Sequence, residues 1–245
     1  PPPETEQAPQ SALSMRPERV VLSAIACIDH DDFWLTADGG YHAPTPVCRE
    51  LLDVKPSCAL ATPGLEPVKS DFAIVLRNLR QVTEKCIMPG YGTGKSFFTG
   101  DPLNTTCFKL RHQLFEPLQG DGDHDDAPDN PFSFERWPLT RERNRTNLLN
   151  LKNTHQILPV PTYDLARDLL KPATYRHFLQ GALVEIHFSL THWGIAGVKR
   201  DVYSGKIELL RLLEPPHGSS SPDRKRKIPL HLASDGSPNK KRATA

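Results

Sequence analysis

The chain has 245 residues, with 30 Lys+Arg against 29 Asp+Glu, a formal net charge of +1, and 38% hydrophobic residues. That supply of apolar side chains suits one large domain or two small ones. No run of 18 apolar residues occurs, so no membrane-spanning helix is expected, and the opening Pro1-Pro2-Pro3-Glu4 has neither the basic start nor the apolar stretch of a signal peptide.

Residues 1–17 are polar and proline-rich and read as a flexible lead-in. Arg19–Ile28 and Asp32–Thr36 are β-rich runs separated by Asp29-His30-Asp31, and read as a pair of strands. Residues 39–70 read mostly as loop, with a short helix around Val47–Leu52. Asp71–Val82 (DFAIVLRNLRQV) reads as a strand, as do Ser96–Thr99 and Thr106–Leu110 beyond the glycine-rich turn at 90–94. The segment 119–152 is an insert, acidic over 119–131 and basic from Arg136 onward. Thr162 is placed to N-cap a helix running to Leu170, and a second helix starts with Pro172 and stops before Gly181. Val184, Ile186, Phe188 and Leu190 then alternate with Glu185, His187, Ser189 and Thr191, the pattern of a half-buried strand. Val202–Leu213 reads as its antiparallel partner, stopped by Pro215-Pro216.

Strand, strand, strand, a hairpin region, helix, strand, strand is the order of an OB-like antiparallel Greek-key barrel: mainly β (α+β), with one or two helices before the last two strands. A mixed α+β domain with an antiparallel sheet has the same order. The sequence therefore divides into the lead-in 1–17, one β-rich domain over 18–214 carrying the 119–152 insert, and a tail over 215–245.

Charge is unevenly placed. From Glu214 to the end there are seven basic and three acidic residues (+4), leaving 23 basic against 26 acidic (−3) before it. This tail is rich in Pro, Gly and Ser, has no apolar periodicity, and is expected to be disordered. Arg224, Lys225, Arg226 and Lys227 precede Lys240, Lys241 and Arg242 by a twelve-residue spacer, which resembles a bipartite nuclear localisation signal. A nuclear import receptor is the partner, and the nucleus the compartment, that it implies.

Several patterns suggest chemistry and then fall short of it. The five cysteines lack any CxxC pair, which argues against a disulfide framework or a zinc site. Asp121–Asp126 imitates the opening of a calcium loop, but Asp126 stands where Gly belongs and Phe132 where Glu belongs. His187 and His192 are five apart on a strand and face opposite sides. No metal site, cofactor or catalytic constellation is expected. Gly90–Ser96 (GYGTGKS) looks like the end of a phosphate-binding loop, and supports an alternative in which Lys95 binds a nucleoside triphosphate. Pro89 occupies the position of its first glycine, and Gly100 and Pro102 break the helix that should follow.

From Lys69 to Phe115 there are seven basic and three acidic residues, interleaved with aromatics. Trp34, Phe97 and Trp193 are candidate stacking faces; Arg77, Arg80, Lys95 and Lys109 are candidate phosphate contacts, with Arg111 nearby. Asp71–Val82 resembles the third strand, and Gly181–Leu213 is similar to the last two strands, of OB-folds in telomere-end-binding and replication-protein-A-type proteins. The resemblance implies non-catalytic binding of single-stranded nucleic acid. A different class is a nuclear protein-interaction module, docking a protein partner on a sheet edge or on the 119–152 insert.

Overall fold

The computed structural model describes residues 20–46, 48–92, 94, 96–101, 104–118 and 130–216. The expectations for the lead-in, for the acidic run, for Lys95 and for both basic clusters of the tail lie outside these residues.

The first strand, β1 (Leu22–Phe33), is one continuous strand rather than the expected pair. Asp29-His30-Asp31 is a kink inside it: Asp29 Oδ1 accepts the N–H groups of Asp31 and Asp32 at 2.8 and 2.7 Å. The register of its pairing with the next strand shifts between Ile28 and Phe33, across that kink. β2 (Ser57–Ala61) lies within the stretch read as loop, and the predicted helix before it is a single 3-10 turn at Leu51–Asp53.

The segment read as the third strand is helix α1 (Val68–Lys85). Its Ile74 and Val75 favour a strand, but Phe72, Leu76 and Leu79 recur at helical spacing and are the residues that become buried. The Phe72 ring lies stacked on Phe108 with centroids 6.0 Å apart. Burying such a side chain is worth about 2–3 kcal/mol, so tertiary packing overrides local β preference.

β3 (Phe98–Asp101) and β4 (Asn104–Arg111) follow as an antiparallel pair. The chain then makes β5 (Phe115–Pro117), α2 (Arg145–Leu151), β6 (His155–Ile157) and β7 (Thr162–Tyr163). Thr162 opens β7, paired in parallel with the last strand, instead of capping a helix. Asp164 Oδ1 accepts the N–H groups of Ala166 and Asp168, a side-chain turn that competes with helix, and Arg167 takes a positive φ of 71°. The second expected helix is present as a 3-10 turn at Pro172–Thr174 and α3 (Tyr175–Leu179), with Gly181 beyond it at φ 83°. β8 (Leu183–Ile195) and β9 (Arg200–Glu214) form the long terminal hairpin that the alternation announced, with register shifts after Leu183 and after His187.

Five of these strands close on themselves. β1 pairs with β2, β2 with β4 and β8 with both β1 and β9, all antiparallel; β9 returns to β4 in parallel through Leu110↔Gly205 and Arg111↔Lys206. Counting barrel strands alone the order is 1-2-3-5-4, the OB arrangement. Two helical elements plug the barrel. α3 falls between the third and fourth barrel strands, as expected, and supplies Tyr175 and Leu179 to the core; α1 falls between the second and third.

A second core stands beside the barrel. Ala37, Tyr41, Leu51, Val54, Leu114, Phe115, Phe134, Trp137 and Leu148 join the β1–β2 connection to residues 112–157. The described part of the predicted insert is thus a packed annex, and it makes the wall of the site described next.

Candidate functional site

On β4, Phe108 and Leu110 point into the barrel while Lys109 and Arg111 point out. Their partners on β2, Ala59 opposite Lys109 and Ser57 opposite Arg111, are small, so two long cations rise from a low floor. The β1–β2 connection forms one wall of a cleft of about 700 Å³, while Phe115, Pro117 and His155 of the β5–β6 pair form the other. Lys55 adds a third cation; the acidic side chain in the lining is Asp53, whose Oδ2 accepts the N–H groups of Arg49 and Glu50.

The first wall is held from inside. Asp38 is fully buried and accepts from Thr36 Oγ1, the Gly40 N–H, and both the N–H and hydroxyl of Thr140. The Trp137 indole N–H donates to the Ala37 carbonyl at 2.7 Å, Asn144 Nδ2 to the Tyr41 carbonyl at 3.2 Å, and the Arg143 guanidinium to the His42 carbonyl. The annex therefore fixes a connection that would otherwise be a long surface loop.

Trp34 stands at the start of this wall, 46% exposed, its backbone tied to Ser57 by N–H···O bonds of 2.8 and 3.3 Å. Its six-membered ring rests on Gly40, where a Cβ would come within 2.7 Å of Cε3; Gly40 also has φ 72°, so two independent constraints require glycine there. The indole N–H donates to Asp32 Oδ1 at 3.0 Å, and the same oxygen accepts Lys109 Nζ at 2.5 Å. Trp34 and Lys109, both singled out in the sequence, are brought together, and Arg111 lies on the same face of β4.

The other candidates go elsewhere. Phe97 is 4% exposed, edge-on to Phe108 at 6.3 Å and stacked on Phe98 at 4.6 Å, so its ring is core and not a free stacking face. Arg77 and Arg80 are exposed on a helix rather than a strand, and the Arg80 guanidinium lies 5.6 Å over the Phe98 ring. Trp193 is 48% exposed on the β8–β9 hairpin. Because Leu22 pairs with Phe188, that hairpin runs past the opposite end of β1 from Trp34. Lys95 is outside the described residues, but the segment after it enters β3 and not the helix that a phosphate-binding loop requires. Gly94 has a packing reason: a Cβ there would fall 1.7 Å from the Asp201 carbonyl oxygen.

Sequence reasoning missed Lys55, Asp32 and Asp38. Asp32 was reachable, since residues two apart on a strand share a face and Trp34 was already a candidate. Asp38 was not, because its Thr140 partner is 102 residues away. Among the described residues, no group of three or more His, Cys, Asp or Glu side chains could hold a metal ion, and no helix is long and apolar enough to cross a membrane.

No protein family and no curated protein sequence matches the chain. Among solved structures it is similar to gp2.5, a single-stranded DNA binding protein encoded by bacteriophage T7, with 12% identity and a TM-score of 0.42, over 93% of this chain and 100% of that one. A likeness at that level carries no functional argument.

Proposed function

We propose that the cleft binds single-stranded nucleic acid without catalysis. The observation that carries the reading is the juxtaposition of an exposed indole, Trp34, with Lys109 and Arg111 on the outer face of the third barrel strand. Exposed flat aromatic surface beside cations is what an unpaired strand requires: bases have π faces and phosphates are anionic. A base stacks on Trp34 while the backbone runs over Lys109, Arg111 and Lys55. Two to three phosphate contacts on a single strand give a log–log salt slope between about −1.4 and −2.

The test is anisotropy of a labelled oligonucleotide at two salt concentrations. Trp34→Ala weakens binding by about 1–3 kcal/mol, the worth of one stacked base, and Arg111→Ala flattens the salt slope by about 0.7. A wild-type affinity that ignores salt, or an unchanged Trp34→Ala, rejects the reading. On the sequence of the tail we place the protein in the nucleus, brought there by an import receptor that reads Arg224–Lys227 and Lys240–Arg242. A fluorescent fusion that stays nuclear after both clusters are neutralised rejects that part.

One observation favours a second reading, a protein-interaction module: Trp193, Ile195 and Val198 are all exposed at the β8–β9 hairpin tip. Trp193→Ala then abolishes capture of a protein partner after nuclease treatment and leaves oligonucleotide affinity unchanged.

A further inference from the structure

One oxygen links Trp34, at the edge of the cleft, to Lys109 in its floor. Asp32 Oδ1 accepts the Trp34 indole N–H at 3.0 Å and the Lys109 ammonium at 2.5 Å. Both charged side chains are partly sheltered, with 23% of Lys109 and 34% of Asp32 exposed, so water screens the pair incompletely. Arg111, two residues along the same outward face, has no such anion among the described residues and pairs across the sheet with Ser57 and Lys206. The kink is what puts the carboxylate there: Asp29 accepts the Asp31 and Asp32 N–H groups and bends β1 just before Trp34.

We infer that Asp32 is an internal competitor for the phosphate backbone, holding Lys109 in reserve and setting the affinity of the cleft below what its cations alone would give. The inference rests on the strand-binding reading above. A phosphate arriving at Lys109 meets an ammonium that already has an anionic partner, and its own charge lies beside the carboxylate. Lys109 has three N–H donors, so it can touch both oxygens, but the two anions repel. The cleft then holds a strand with two unhindered cations and a third that is taxed. The indole bond places the carboxylate on the stacking side as well, so the ring is oriented by the same group that restrains the cation.

Asp32→Asn separates these roles, because an amide oxygen still accepts the indole N–H while the charge that holds Lys109 is gone. Freeing one phosphate contact on a single strand steepens the log–log salt slope by about 0.7, which at 0.1 M salt is about fivefold tighter binding. The experiment titrates a labelled oligothymidylate of about twenty nucleotides with wild type, Asp32→Asn, Lys109→Ala and Asp32→Asn/Lys109→Ala across a salt series, with thermal melts of each. Expected are tighter binding and a steeper slope in Asp32→Asn, and a Lys109→Ala loss that is larger in the Asp32→Asn background than in wild type. Asp32→Asn protein that melts like wild type but binds equally or more weakly overturns the inference and leaves strand binding intact. Should Asp32→Asn fail to fold, Lys109→Ala and Arg111→Ala in the wild type decide: a Lys109 loss as large as the Arg111 loss overturns the inference, a smaller one supports it. Absence of binding by every protein at low salt overturns both readings together.

Discussion

Replacing Asp38 with alanine removes the carboxylate that joins the β1–β2 connection to the annex. Four donors converge on it, but they do not all lose equally. The Gly40 N–H keeps a second acceptor in Thr36 Oγ1 at 3.0 Å, and the two threonine hydroxyls can turn toward other acceptors. The Thr140 N–H, 2.9 Å from Asp38 Oδ2, has no second acceptor among the described residues. A hydrogen bond to a charged group contributes about 1.5–3 kcal/mol, and because Thr140 is itself exposed, water takes up its freed N–H and the loss stays within that range. The expected loss is about 3 kcal/mol, a large part of the 5–15 kcal/mol that holds a typical domain. With a urea m-value of about 2–3 kcal/mol per molar, the midpoint falls by about 1–1.5 M. Tryptophan emission is the natural probe, because Trp137 is wholly buried in the annex. Asp38→Asn loses less: with its amide oxygen at the Oδ1 position it still accepts three donors, while its NH2 faces the Thr140 N–H. An Asp38→Ala midpoint within 0.2 M of wild type refutes the claim that this carboxylate organises the cleft wall.

The remaining predictions use other parts of the fold. Phe97→Ala costs about 3–5 kcal/mol of stability as a core truncation and, measured where the variant is still folded, leaves oligonucleotide affinity within twofold of wild type, the reverse of Trp34→Ala. Burial pushes the Cys58 thiol up to about 12, whereas Cys86 is exposed at the end of α1. A chromogenic disulfide reagent at pH 8 therefore labels Cys86 in native protein and reaches Cys58 only after denaturant is added, as peptide mapping will show. His112 is held below its ordinary pKa, first by burial, with Nε2 2.9 Å from the Leu158 carbonyl oxygen. A lowered folded value means that the unfolded chain binds the extra proton. The His112 contribution is therefore complete above about pH 6.5 and drains away as pH falls through the folded value. His112→Gln flattens the stability–pH curve below pH 6.5, and parallel curves for the two proteins reject the assignment.

How much of this was legible follows from the range of the interactions involved. The β8–β9 hairpin was readable because Val184, Ile186 and Phe188 against Glu185 and His187 is a purely local pattern, and burial kept it. Lys109 was readable for the same reason, lying between Phe108 and Leu110. The α1 segment misled because Phe72, Ile74 and Leu76 also alternate; the deciding contact, Phe72 on Phe108, is long-range, and Ile74 ends 46% exposed on the helix. Phe97 misled because an aromatic ring suits a core and a stacking face equally, and only the barrel's closure tells which side it takes. The walls of the cleft were illegible altogether: they depend on Asp38 meeting Thr140 and Trp137 meeting Ala37 across about a hundred residues of chain.

The closure of the barrel has a consequence for biosynthesis. The parallel seam joins position 110 to position 205, a separation of 95 residues, and runs through two residue pairs only. A ribosome must therefore deliver nearly the entire domain before β4 finds its last neighbour, and until then the end of the strand at Leu110 and Arg111, beyond the part covered by β3, offers unsatisfied backbone groups to any passing chain. Nascent or prematurely terminated products ending anywhere between these positions are the species for which chaperones should compete.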